Sequence, residues 1–147
     1  MLFNELISDA VKLQLLNTED ALQAANYPLS GNYIDVSQYE RFAFLVGAGS
    51  LDSILTCQVK QADAVNGTAK SITDAVVVIP ADGDDKWYMV EVQTEELDIN
   101  SDYRYVTLAI SGPTGNDYGC VWFLGYNPGF RPVTQGADCG EVVKLLG

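Results

Sequence analysis

Apolar and polar residues alternate along much of this chain. In the stretch AVKLQLL, apolar Val11, Leu13 and Leu15 alternate with polar Lys12 and Gln14. An alternation of this kind is typical of a half-buried β-strand. Five later stretches of strand character are RFAFLVG (41–47), SILTCQVKQ (53–61), KWYMVEVQ (86–93), YRYVTLAIS (103–111) and YGCVWFLGY (118–126). The chain is therefore predicted to be rich in β-strands.

Turn-forming residues separate these stretches. The DAVVVIP run (74–80) is β-branched throughout its centre and ends at Pro80, which predicts a strand buried on both sides. A weaker strand-like stretch, EVVKLLG, closes the chain. Turn chemistry is found in VNGT (65–68), ADGDD (81–85), INSD (99–102) and SGPTGND (111–117). Roughly seven or eight short strands with such turns indicate a two-layer antiparallel β-sandwich or a barrel.

Helix is predicted to be scarce. NTEDALQAA (17–25) has a capping residue in Asn17 or Thr18 and acids in its first turn, and TEEL (94–97) could form one more turn. The sequence shows no internal repeat, low-complexity tract or linker. Its 147 residues are expected to form a single all-β domain over 1–147, long enough to bury a core without a metal or a disulfide.

Charge narrows the range of partners. The chain carries 20 acidic and 8 basic residues, a formal charge of −12. Nucleic-acid binding draws most of its affinity from Lys and Arg against phosphates, so no nucleic-acid partner is expected. The excess of acidic residues either keeps the protein soluble or forms an acidic face that binds a basic partner, and the sequence is compatible with both.

The sequence predicts neither a membrane span nor a secretory signal. No apolar run approaches the roughly 20 residues that cross a bilayer, so no membrane partner is expected. The N-terminal MLFNELISDA has no basic region ahead of an apolar one. Synthesis in a cytoplasm is the resulting expectation.

We find no catalytic or metal-binding motif in the sequence. Histidine is missing altogether, which excludes Ser-His and Cys-His nucleophile pairs. Cys57, Cys120 and Cys139 lack CxxC spacing, so neither a disulfide framework nor a zinc site is predicted. The DGDD turn lacks calcium-loop spacing, and the SGPTGND loop lacks the lysine of a phosphate loop. Two carboxylates would suffice for a glycosidase, but the simpler interpretation is that the acidic residues are solvated. We therefore expect no enzyme activity, no cofactor and no metal.

Aromatic residues on two strands suggest an interaction surface. The alternation in KWYMVEVQ places Trp87 and Met89 on the side opposite its inward valines, and Tyr103 and Tyr105 share one side of the next strand. Should the two strands pair, these side chains would form one patch for another protein chain or for a sugar. The alternative is that they line the inside of the other sheet.

A glycine- and proline-rich segment and the N-terminus suggest a second contact region. The segment GYNPGFRPVTQG (125–136) is predicted to leave the sheet after Leu124, yet it carries large side chains of the kind that anchor interfaces. Apolar residues also precede the first strand and need cover. The interface candidates in these regions are Leu2, Phe3, Ile7, Tyr126, Phe130 and Arg131. Segments 1–9 and 126–147 are thus candidate arms onto a neighbouring subunit, unless they fold back on their own sandwich.

The order of these stretches resembles a small β-sandwich structural protein of tailed bacteriophages. The stretches that carry the resemblance are NYIDVSQYERFAFLVGAGSL (32–51), LTCQVKQADAVNGTAKSI (55–72), WYMVEVQTEELDINSDYRYVTLAIS (87–111) and VWFLGYNPGFRP (121–132). The resemblance covers the chain from about Val11 to Arg131 and includes no catalytic motif. It therefore transfers no catalytic residue.

The resemblance implies a virion component, in particular a capsid decoration (cement) protein. Such a protein implies a jelly-roll-like sandwich, a homotrimer, the major capsid protein as partner and a location on the capsid exterior after synthesis in the bacterial host. A neck, tail or fibre-attachment protein is the alternative within the virion. A carbohydrate-binding module using Trp87, Tyr103 and Tyr105, with a glycan on the host surface as ligand, is the alternative from another class.

Overall fold

Strands dominate the part of the chain that the computed structural model describes, residues 6–18, 20–129 and 132–145. In chain order they are β1 (Val11–Asn17), β2 (Ala25–Tyr27), β3 (Ile34–Asp35), β4 (Tyr39–Ala48), β5 (Leu55–Ala62), β6 (Lys70–Ile79), β7 (Trp87–Gln93), β8 (Tyr105–Ser111) and β9 (Gly119–Pro128). One short helix, α1 (Ile7–Ala10), and two 3₁₀ turns, Thr94–Glu96 and Ile99–Ser101, complete the described elements. No helix in these ranges is both long and apolar enough to cross a membrane.

The strands form two antiparallel sheets. The first sheet has the strand order β1-β9-β4-β7, and the second has the order β2-β8-β5-β6, with β3 also paired to β8. The predicted all-β antiparallel sandwich with little helix is therefore confirmed. Because β1 pairs with β9 and β4 with both β9 and β7, sequence-distant strands are neighbours in the first sheet.

The core lies between the two sheets. Phe42, Phe44 and Phe123 of the first sheet pack their rings together, with centroids 6.1 Å apart between Phe42 and Phe44 and 5.6 Å apart between Phe44 and Phe123. The second sheet covers these rings with inward side chains that are almost fully buried, namely Leu55, Cys57, Val59, Val106, Leu108 and Ile110. Burying one large apolar side chain contributes roughly 1.5–3 kcal/mol, so this layer holds the sheets together.

Strand β6 differs from the sequence prediction of a strand buried on both sides. It is an edge strand, so Val78 on its outer side is 56% exposed while Ile79 on its inner side is buried. Its pairing with β5 is interrupted by a bulge, where Gln58 Nε2 donates to the carbonyls of Ile72 and Ala75. A β-branched run therefore did not distinguish a central strand from an edge strand.

The predicted helix over 17–25 does not form in its described residues. Asn17 ends β1, Ala21 makes a β-bridge with Tyr118, and the Leu22 amide donates to the Asp117 carbonyl. Sheet pairing and the burial of Leu22 override the helix propensity of this segment. The turn predicted at 94–97 is present as the 3₁₀ turn Thr94–Glu96, whereas residues 141–145 of the EVVKLLG stretch form no strand.

Candidate docking surface

The outer face of the first sheet has an apolar region to which all four strands contribute. Cross-strand partners share a face, and one row of partners runs Leu15, Trp122, Leu45 and Met89. One neighbouring row adds Leu13, Leu124 and Ala43 and ends at Glu91 on β7, and the row on the other side adds Cys120, Gly47 and Trp87. We define the apolar face as the outward side chains of Leu13, Leu15, Ala43, Leu45, Trp87, Met89, Trp122 and Leu124.

Exposure agrees with this assignment of faces. Trp87 is 69% exposed and Met89 is 39% exposed, whereas Val90 and Val92, which alternate with them on β7, are buried in the core. The predicted outward orientation of Trp87 and Met89 is thus confirmed. A large Trp side chain in water at the end of an apolar row is a feature of surfaces that bind another molecule.

A polar group closes one end of the apolar face. The Tyr126 hydroxyl donates to the Glu91 carboxylate across β4, between the positions of Arg41 and Ala43. Burial, together with this carboxylate, raises the pKa of Tyr126 to about 12. Ala43 beneath the pair is almost fully buried. The Tyr126–Glu91 pair therefore sets the polar boundary of the face.

The outer face of the second sheet has the opposite character. Its central strand β5 presents Thr56, Gln58 and Lys60, as the pairing with β8 requires, whereas Thr107 of β8 is buried and its hydroxyl donates to the Tyr27 carbonyl. Its exposed large apolar side chains lie on the edge strand β6. In an antiparallel sheet with one solvated face, the inward side chains are normally apolar and the outward ones polar, as in the second sheet. The first sheet departs from that pattern, which makes its outer face the candidate site.

A C-terminal strap closes the free edge of β1. We define the strap as residues 132–138. The Gln135 side chain accepts from the Leu13 amide at 3.0 Å and donates to the Val11 carbonyl at 2.7 Å, and the Asp138 carboxylate accepts from the Leu15 amide at 2.7 Å. These side chains take the place that a neighbouring strand would occupy, so the strap protects this edge from strand addition.

The aromatic patch predicted from Trp87, Tyr103 and Tyr105 does not exist. Strand β7 pairs with β4 in the first sheet, whereas β8, which carries Tyr105, pairs with β5 in the second sheet. The two outer faces point away from each other. Tyr103 instead lies under Lys70, whose Nζ is 4.2 Å from its ring centroid. The alternative prediction, that these residues line the inside of a sheet, is wrong as well.

The other predicted interface residues have different outcomes. Ile7 lies in α1 and is 63% exposed, and Tyr126 lies at the polar end of the apolar face. Four predicted residues lie outside the described residues, namely Leu2, Phe3, Phe130 and Arg131.

Strand β9 continues past the point at which the sequence predicts that it ends. It extends to Pro128, and Tyr39 of β4 pairs with Pro128. Gly125 makes this possible, because a Cβ there would lie 2.9 Å from ring atoms of Tyr39. The glycine thus marks a close approach of an aromatic ring to the strand, not an exit from the sheet.

The sequence prediction missed most of the apolar face. Val11, Leu13 and Leu15 face outward, because their partners on β9 are Tyr126, Leu124 and Trp122. Alternation alone cannot tell which side of a strand meets the core. One feature of the sequence could have predicted this face. The stretch YGCVWFLGY has apolar residues on both sides of the strand, so the sheet that contains it has an apolar outer face as well as an apolar inner one.

Lys12 and Gln14 face a cleft on the inner side of β1. The cleft has a volume of about 480 Å³ and is bounded by β1, Phe123 and the chain segment 28–35. Among its lining residues are Tyr33, Asn32 and Asp35. It combines aromatic rings with hydrogen-bonding groups, which suits a small polar ligand.

The described residues offer little for catalysis. No group of three or more Cys, Asp or Glu side chains within them is arranged to hold a metal ion. Burial raises the pKa of the Cys57 thiol to about 12, so this thiol is not a nucleophile at neutral pH. Asp117 is buried, but its oxygens are occupied by hydrogen bonds from Ser53 and Thr114. The apolar face is therefore the feature that sets this surface apart.

No family model matches the chain, and no curated protein sequence matches it. Among solved structures, a Bacillus endospore appendage of disulfide-linked pili shares 12% identity over 86% of this chain and 95% of that chain, with a TM-score of 0.41. A structure of infectious bursal disease virus, Gx strain, shares 9% identity over 84% of this chain and 33% of that chain, with a TM-score of 0.42. A family 30 carbohydrate-binding module of Clostridium thermocellum shares 14% identity over 82% of this chain and 83% of that chain, with a TM-score of 0.30. At these identities and TM-scores the likenesses carry no argument about function.

Proposed function

We propose that this chain is a structural β-sandwich protein that binds a protein lattice through its apolar face. In its specific form, the protein is a decoration protein on the exterior of a bacteriophage capsid and contacts neighbouring major capsid protein subunits. The observation that carries the proposal is the apolar region on the outer face of the first sheet, to which all four strands contribute side chains. The virion setting rests on the resemblance of the sequence to phage structural proteins.

The chemistry of the face favours a protein over a sugar as its ligand. Around Trp122 the neighbouring outward side chains are Leu15, Leu45 and Leu124. A sugar hydroxyl needs donors and acceptors beside an aromatic ring, and these aliphatic neighbours provide none. An apolar patch with a polar boundary at Tyr126 and Glu91 has the anatomy of a protein interface, with a dry centre and a polar rim.

Charge supports an exterior location. With a formal charge of −12, the chain is repelled by a packaged genome, and the second sheet offers a polar outer face that suits contact with solvent. Docking the apolar face on the shell leaves the polar face outward. A protein bound in this way to assembled subunits, and not to dissociated ones, stabilises the shell by mass action, and many copies add their modest contributions.

The test is binding to purified capsids by wild-type protein and by a Leu124→Glu variant. Leu124 lies on a central strand of the apolar face, and a charge there must be desolvated on docking. We expect the variant to lose about 2 kcal/mol of binding free energy per site, roughly thirty-fold in Kd, and to lose its protection of the shell against heat. Cosedimentation and thermal release of the capsid contents measure the two effects.

The matched control is Val78→Glu, which adds the same charge to an exposed apolar residue on the other outer face. It should bind capsids like wild type. Equal binding of Leu124→Glu and wild type to capsids would show that the apolar face is not the docking surface. Association with tails and not with heads would favour the neck, tail or fibre-attachment alternative.

The cleft beside β1 supports carbohydrate binding as a second candidate function. Tyr33 and Tyr39 supply rings, and Gln14 and Asn32 supply hydrogen-bonding groups within the same cleft. This site differs from the Trp87, Tyr103 and Tyr105 patch expected from the sequence. Calorimetric titration with soluble glycans separates the two functions, because heat of binding that survives Leu124→Glu belongs to the cleft.

A further inference from the structure

The edges of the two sheets are protected to different degrees. The strap closes the edge of β1, the bulge at Gln58 interrupts β6, and the remaining edge of the second sheet is divided between the short strands β2 and β3. By contrast, β7 pairs with β4 in continuous register from Trp87 to Gln93. Among the described residues, no backbone hydrogen bond reaches the other side of β7. Strand β6 of the second sheet lies across a groove from β7 but does not pair with it. An unpaired strand edge of this length is a template for strand addition.

The backbone groups on this edge can be identified. The Ala48 amide donates to the Lys86 carbonyl at 2.8 Å, and hydrogen-bonded pairs alternate along an antiparallel ladder. The amides of Tyr88 and its alternate neighbours therefore point to β4. Those of Trp87, Met89 and Glu91 point away from the sheet, and their side chains lie on its outer side.

The C-terminal tail has the complementary character. We define the tail as residues 141–145, EVVKL, which form no regular element. Val143 is 83% exposed and Leu145 is 93% exposed, and in an extended chain the two share one side. Adding this apolar segment as a strand to an open edge would bury both the segment and the edge.

The tail lies beside the edge of the first sheet that is opposite β7. The Lys144 Nζ is 2.6 Å from Asp9 Oδ1, beside the start of β1, and the strap anchors the preceding residues to β1. The order β1-β9-β4-β7 separates β1 from β7 by three strand spacings, about 14 Å. A second copy laid edge to edge would bring its β7 to the tail.

We propose that the tail of one copy adds as a fifth strand to the free edge of β7 in the next copy. Val143 and Leu145 then extend the two neighbouring rows that end at Met89 and Trp87, so the apolar faces of adjacent copies join. Lys144 turns to the groove beside β7, where Asp74 and Glu96 provide acidic partners. The contact is head to tail, which generates a ring if the rotation closes. It goes beyond shell binding, because it forms between copies of this chain.

Complementary variants test this contact. Val143→Glu combined with Leu145→Glu disables the tail, and Met89→Pro removes one free-edge amide that β4 does not use. We expect wild-type protein to associate at micromolar concentration in analytical ultracentrifugation and each variant to sediment as a monomer. The tail variant keeps a working β7 edge, and the Met89→Pro variant keeps a working tail. An equimolar mixture should therefore form a 1:1 heterodimer and nothing larger.

Three controls keep the outcome decisive. Met89→Leu retains both the amide and an apolar side chain and should associate like wild type, as should Ile54→Glu, which places an acid at an exposed apolar loop position. Circular dichroism verifies that all variants are folded. A monomeric wild type, or a folded variant mixture that stays monomeric, would overturn the proposal. Capsid binding is scored separately with Leu124→Glu, so each proposal fails on its own measurement.

Discussion

Asp117 shows how one buried carboxylate can fix two loops. Its side chain accepts from the amides of Asp52, Ser53 and Thr114 at 2.7–2.9 Å and from the Ser53 hydroxyl at 2.7 Å. Burial alone would raise the pKa of this carboxyl. The hydrogen bonds outweigh burial, and the pKa lies well below its usual range. The charged form of Asp117 is therefore the form that stabilises the fold.

Replacing Asp117 by Asn should destabilise the protein in a pH-dependent manner. At pH 7 we expect a loss of about 3 kcal/mol, because the amide cannot accept from all of these donors. A carboxyl whose pKa is lowered by folding stabilises above its unfolded pKa, about 3.9, and loses this contribution as pH falls. The difference between wild type and Asp117→Asn should therefore shrink at pH 3. Urea unfolding at the two pH values measures it.

The control for this residue is Asp52→Asn. The Asp52 side chain is exposed on the same loop, and its contact with Asp117 is made by the backbone amide, which the substitution retains. Its effect on unfolding should be small at both pH values. An Asp117→Asn variant as stable as wild type at pH 7 would contradict the role assigned to the carboxylate.

At the scale of the element, the edge of β1 depends on single side chains. Gln135 alone bonds both the Leu13 amide and the Val11 carbonyl, while Asp138 bonds the Leu15 amide. A strand edge held in this way should open locally when one side chain is removed, while the rest of the sheet remains closed.

Gln135→Ala should expose the Leu13 amide to solvent exchange. The loss of one hydrogen bond is worth roughly 1 kcal/mol, so exchange at Leu13 should accelerate by roughly five-fold. The Leu15 amide, which Asp138 still holds, serves as the internal control and should change little. Residue-resolved hydrogen exchange by NMR measures both. Equal acceleration at the two amides would mean that the strap moves as a single unit.

Strand positions were largely predictable from the sequence, while their neighbours and orientations were not. Alternation located β4, β5, β7, β8 and β9, since it records which residues a strand buries. It could not show that β7 and β8 lie in different sheets, because pairing is set by contacts between distant segments. For the same reason the alternation in β1 did not show which of its sides faces outward, so most of the apolar face was not predicted.

At the scale of the whole molecule, charge and apolar surface are separated. The formal charge is −12, and ion pairs such as Lys70–Asp98 and Arg104–Asp35 are exposed, so they offset little of the repulsion. The outer face of the first sheet is apolar except at its polar end. An acidic body with one apolar side has a single preferred orientation on a partner.

Salt should therefore stabilise the isolated protein. Raising NaCl from about 0.01 M to 0.5 M shortens the screening length from about 30 Å to below 10 Å and weakens repulsion between acidic groups. We expect a rise in Tm of a few degrees by differential scanning fluorimetry. KCl should give the same shift, because screening does not depend on the cation. A Tm that falls with salt would mean that attractive pairs outweigh repulsion.

The strap and the β1–β9 pairing have a consequence for biosynthesis. The first strand bonds to side chains 122 residues further along the chain, and its sheet partner is the last strand. Translation proceeds at roughly 5–20 residues per second, so β1 waits several seconds for its partner to be made. During that interval its apolar side chains are open to premature contacts. The nascent chain should thus be a chaperone client until β9 and the strap have left the ribosome.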